Sequence, residues 1–67
     1  MRTFKVMIRD AADHEPVAER TCYNGALVTF ATDDAAHAAR VLGYNLGRSV
    51  TTADTGQRGA YVAEVVA

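Results

Sequence analysis

The chain has one cysteine, one proline, no tryptophan and no run of 18 apolar residues. With Cys22 as the only thiol, an intrachain disulfide is impossible, and thiol usage fits a reducing compartment. Without a long apolar run there is no membrane-spanning helix. Met1-Arg2-Thr3-Phe4-Lys5 leads into mixed residues rather than the apolar stretch of a secretion signal. Charge of one sign is also lacking: 7 Lys+Arg stand against 8 Asp+Glu, a net charge of −1. Whole-chain electrostatics therefore select neither a phosphate backbone nor an anionic membrane. The expectation is a soluble, cytoplasmic protein without a membrane partner.

What is present is enough for one α+β domain, residues 1–67. A hydrophobic content of 49% opposes disorder, but thirteen of those residues are alanine, so the core must be small. A chain of this size buries only about 60% of its unfolded surface, and association is a common remedy. A homodimer is expected on that ground. Arginine outnumbers lysine six to one, Ala and Val are abundant and Ile occurs once, a bias that GC-rich codons produce. This points to a high-GC, actinobacterial-type host or one of its phages.

Arg2 to Arg9 alternates, with Phe4, Val6 and Ile8 on one side and Lys5 and Arg9 on the other, which predicts a half-buried strand. The stretch from Asp10 to Pro16 reads as a loop. Asn24-Gly25 predicts a tight type I′ hairpin, with Tyr23 opposite Ala26, Thr21 opposite Val28 and Glu19 opposite Phe30, while Cys22 and Leu27 share the other face. Thr32-Asp33-Asp34 caps an Ala-rich helix whose stripe is residues 35, 38, 39, 42 and 46, with Asp33, His37, Arg40 and Tyr44 opposite. Gly43 is expected to close it, with Gly47 as the alternative. Residues 48–53 and 60–66 read as strands joined by the polar loop 54–59, a second hairpin whose Tyr61-Val62-Ala63 run would be a sheet edge guarded only by Glu64. The predicted order is β-β-β-α-β-β, a mainly antiparallel sheet of four to five strands with the helix on one face. Its larger core residues are Phe4, Val6, Ile8, Val28, Phe30, Leu42, Val62 and Val65.

No constellation carries catalysis. Asp10, Asp13, His14 and Glu15 are too adjacent to converge on a metal ion and read as a solvated loop. His37 lies three and four residues after Asp34 and Asp33, an ordinary surface pairing. Cys22 falls mid-strand, without the helix N-terminus or neighbouring base that would lower its pKa. Thr55-Gly56-Gln57-Arg58-Gly59 lacks the spacing of a phosphate loop and precedes a strand. A single helix layer rarely encloses a small-molecule pocket. The chain is thus expected to be no enzyme, with no catalytic, cofactor-binding or metal-ligating residues.

The uncovered sheet face remains. Lys5, Met7, Arg9, Arg20, Cys22, Leu27 and Thr29 are assigned to it as a candidate interaction face, since apolar residues mixed with arginine are the composition of a contact patch. The function expected from it is a non-catalytic protein-interaction module, self-associating and docking on a host protein as phage or accessory-genome proteins do. The alternative is a nucleic-acid-associated regulator using Lys5, Arg9, Arg20 and Arg58, weakened by the absence of aromatic residues to stack bases on that face. The β-β-β-α order with its threonine-capped, Ala-rich helix resembles that of the HicB-type antitoxin domain. The resemblance is one of pattern: the Gly-Cys and Pro-rich segment before the third strand is missing, and the RNase-inhibiting role is not carried over.

Overall fold

The computed structural model describes residues 1–10, 22–23 and 26–66. In order these form β1 (Arg2–Ile8), β2 (Cys22–Tyr23), β3 (Ala26–Leu27), β4 (Thr29–Thr32), α1 (Ala35–Leu46), β5 (Val50–Thr52) and β6 (Tyr61–Val65). The expected α+β architecture and element order are present. Four strands make a mixed sheet in the order β4-β1-β6-β5, and β2 and β3 form a separate antiparallel ladder. Its register, Cys22 opposite Leu27 and Tyr23 opposite Ala26, is the one a two-residue Asn-Gly turn dictates. The other two expected hairpin pairs involve Thr21 and Glu19, outside the described residues, as are the loop acids Asp13 and Glu15. On its other side Phe30 pairs with Phe4 of β1.

Alternation along β1 divides the sheet into two faces. Phe4, Val6 and Ile8 lie opposite Val65, Ala63 and Tyr61 on the helix side. Phe4, Val6 and Ala63 are buried against Ala38, Ala39 and Leu42 of α1, with Val28, Phe30, Ala35, Leu46, Val50 and Tyr61 packed around them. The predicted helical stripe is therefore the buried one. Its alanines bring the helix axis close to the sheet, so Leu42, fully buried, is the only large side chain that α1 places at the centre. Val65, expected in the core, lies at the end of β6 and is 45% exposed.

The helix ends follow backbone chemistry. Asp34 is the N-cap: its carboxylate accepts hydrogen bonds from the amides of Ala36 at 3.0 Å and His37 at 3.3 Å. Gly47, not Gly43, closes the helix, with φ of 66° and its amide donating to the Tyr44 carbonyl. Gly43 is an interior helix residue where a Cβ would sit 2.7 Å from the Arg48 carbonyl oxygen. Its role is close approach, which lets the chain leading into β5 pass against the helix.

The largest departure from expectation is at the C-terminal end of the sheet. β5 and β6 pair in parallel, Val50 opposite Tyr61 and Thr52 opposite Ala63, so they are not a hairpin. Segment 53–60 is a crossover that reverses the chain twice. The amide of Thr55 donates to the Thr52 carbonyl at one turn, and that of Ala60 to the Gln57 carbonyl at the other. Parallel neighbours usually need a dozen or more residues between them; here a short connection suffices because the paired stretch is only Val50–Thr52. β6 thus lies between β1 and β5, and the Tyr61-Val62-Ala63 run is interior to the sheet rather than an edge.

Candidate functional site

The outer face of the sheet, opposite the helix, is built by the alternate residues of each strand. Register sets Thr3 beside Ala31, Lys5 between Thr29 and Glu64, and Met7 beside Val62, which in turn adjoins Thr51. Lys5 thus has a neutral hydroxyl on one side and a carboxylate on the other, a cross-strand arrangement worth about 0.2–1 kcal/mol.

This face is divided in two. Its β5–β6 half is covered by the crossover: Gly56 lies on Val62, and Val62 is only 1% exposed although it points away from the helix. The Arg9 guanidinium fastens the crossover, donating to the carbonyls of Ala53 at 2.8 Å and Gly56 at 2.6 Å. Its backbone does the same, the amide donating to the Ala60 carbonyl and the carbonyl accepting from the Gly59 amide. A depression of about 350 Å³ remains between this strap and the strands, with Met7, Val62 and Glu64 among its lining residues.

The β1–β4 half is open among the described residues. Thr3, Thr29 and Ala31 are exposed, and Lys5 is half-buried. Beyond it, no described strand pairs with the second edge of β4. That strand, Thr29-Phe30-Ala31-Thr32, carries no charge and no proline, the usual guards against edge-to-edge pairing.

The residues assigned to the interaction face from sequence are therefore distributed unevenly. Lys5, Met7 and Thr29 share the outer face, as expected. Arg9 stands at the same side but is engaged by its own chain. Leu27 lies on the separate β2–β3 ladder and is 49% exposed. Cys22 pairs with it through the backbone, and Arg20 lies outside the described residues. His37 packs edge-on against Phe30 with ring centroids 5.4 Å apart, an aromatic contact rather than the acid pair its spacing allowed. Among the described residues no three His, Cys, Asp or Glu side chains are grouped so as to hold a metal ion, and no helix is long and apolar enough to cross a membrane.

A second surface was not legible as a site in the sequence. Between the C-terminal half of α1 and the start of β5 runs an open groove of about 470 Å³, lined by Arg40, Tyr44, Arg48 and Ser49 over a floor that includes Gly43 and Val50. Tyr44 is 88% exposed. Arg48 stacks over the Tyr61 ring, its guanidinium carbon 5.2 Å from the ring centroid. The helical spacing of Arg40 and Tyr44 marks them as one exposed face; the approach of Arg48 depends on Gly43, whose packing role the sequence did not disclose.

No family model, curated protein or solved structure matches the chain.

Proposed function

We propose that this chain is a small, non-catalytic protein-interaction module of the cytoplasm that self-associates through the open half of its outer sheet face. The observation that carries this reading is the open β1–β4 half of the outer sheet face, where Thr3, Thr29 and Ala31 are exposed around half-buried Lys5 among the described residues. Two such faces brought together about a two-fold axis would cover each other in an isologous contact. The same face would accept a host protein, the role expected of a phage or accessory-genome protein. The small, alanine-rich core supports association, since a second copy would add apolar burial that one chain cannot supply.

Sedimentation equilibrium over a hundredfold concentration range tests this. A dimer is expected, converted to a monomer by Ala31→Lys with the circular dichroism spectrum unchanged. A wild-type chain that stays monomeric throughout overturns the self-associating module. If the nucleic-acid reading held instead, binding to duplex or single-stranded DNA would appear in a gel shift and fall steeply with salt.

A further inference from the structure

The groove between α1 and β5 lies at the edge of the sheet remote from β4 and is independent of the self-association just described. Three features meet there. Its lining holds two cations, Arg40 and Arg48, and no acid, on a molecule whose overall charge is −1. Neither guanidinium forms an ion pair with a described carboxylate. The groove reaches Val50, the first residue of the edge strand β5, which pairs with β6 on one side and with no described strand on the other.

The side chains are suited to one kind of occupant. Arg48 lies over the Tyr61 ring, its guanidinium carbon 5.2 Å from the centroid, and a guanidinium can grip a carboxylate in two places. Arg40 and exposed Tyr44 rise one helical turn apart along the opposite wall, and arginine and tyrosine are the residues that most often anchor protein contacts. The floor includes the small residues Ala39 and Gly47, with open space above Gly47. A free edge strand offers main-chain hydrogen bonds to another extended chain. Nucleic acid fits less well: two cations neutralise little of a polyanion, and a strand edge gives it nothing to pair with.

We propose that the α1–β5 groove binds an extended acidic segment of a partner protein, which adds as a strand to the free edge of β5 and sets its carboxylates on Arg40 and Arg48. The register along β5 would give affinity, and the two arginines would give selectivity for glutamate or aspartate at alternate positions.

The test uses the whole chain and a fluorescein-labelled peptide of alternating valine and glutamate, followed by fluorescence anisotropy and by amide chemical-shift changes. Expected are saturable binding, shifts confined to residues 39–52, loss of affinity of at least tenfold in Arg40→Glu and in Arg48→Glu, and no binding of the valine–lysine peptide. Because Arg48 also packs on Tyr61, Arg40→Glu, on the exposed helix face, serves as the variant whose fold is not at issue. Two peptides N-methylated on opposite alternate amides separate strand addition from simple charge attraction, since one of them should lose binding and the other keep it. The proposal is overturned by any of four results: no binding at millimolar peptide, wild-type affinity in Arg40→Glu, shifts centred on Lys5 and Thr29, or tighter binding of a single-stranded oligonucleotide than of the acidic peptide.

Discussion

Gly56 and Val62 touch across the outer face so closely that a Cβ on the glycine would overlap the Val62 Cγ1 methyl. This contact makes a second, smaller apolar layer on the side of the sheet that the helix does not cover, and it exists because residue 56 has no side chain.

Gly56→Ala is accordingly expected to destabilise the fold by about 1–3 kcal/mol, the usual cost of forcing volume into a packed site. The same change with Val62→Ala should recover part of the loss, because the colliding methyl is gone. Urea denaturation of the two single variants and the double variant measures the coupling, and strictly additive effects would contradict the contact.

Arg9→Ala removes both side-chain hydrogen bonds to the crossover. The group is partly exposed, so the expected loss is at the lower end for charged hydrogen bonds, about 1–2 kcal/mol. Hydrogen exchange should speed up first in residues 53–60. A variant with a weakened partner interaction but unaltered exchange would return Arg9 to the role of a contact residue.

The two glycines of the helix should respond to alanine for different reasons. At Gly47 there is open space, and the cost is that of a left-handed backbone, about 1–2 kcal/mol. At Gly43 alanine gains about 1 kcal/mol of helix propensity but meets the Arg48 carbonyl, so β5 must move. Gly43→Ala should therefore disturb amide shifts in 48–52 and weaken binding in the adjacent groove, whereas Gly47→Ala should leave the shifts in 48–52 unchanged.

The Asp54 carboxyl is held below its ordinary value of 3.8 by a hydrogen bond from the Thr52 side chain and by its own backbone amide. A depressed folded-state value means the stabilising effect is complete above about that pH and is lost as pH falls through the lower, folded value. Asp54→Asn should lower the melting temperature at pH 7, with the difference from the wild type shrinking as pH falls below 3.8. An unchanged difference across that range would show that the carboxylate contributes nothing.

Charged substitution of Leu27 or Met7 should weaken association if the outer face takes part in it. Leu27, at 49% exposure, should tolerate aspartate without loss of fold. Met7 is half-buried beside Val62, so Met7→Asp should also lower stability, and the pair separates contact from packing.

The elements and the helix were legible because each rests on local chemistry: alternation in β1, Asn-Gly between β2 and β3, and the Asp34 cap with an alanine stripe. The parallel pairing of β5 and β6 was not, since the composition of 53–60 says that the chain turns but not how many times. The clue lies in its two separate turn units, Asp54-Thr55-Gly56 and Arg58-Gly59, where a single hairpin needs one. Gly43 and Arg9 share that difficulty. A glycine inside a helical pattern looks like a terminator, and a basic residue at a strand end looks like surface charge; only tertiary neighbours distinguish a packing glycine or a clamp. The candidate interaction face was accordingly half legible: Lys5, Met7 and Thr29 follow from strand alternation, whereas its covered half depends on the crossover.

The central position of β6 also dictates the order in which this molecule becomes a molecule. Val6 finds Ala63, and Phe4 finds Val65, across nearly the whole length of the chain. Until Tyr61–Val65 has been synthesised, β1 has β4 alone as a partner and β5 has none. The chain can form its helix early but cannot close its sheet before β6 is available, so its folding is dominated by long-range closure.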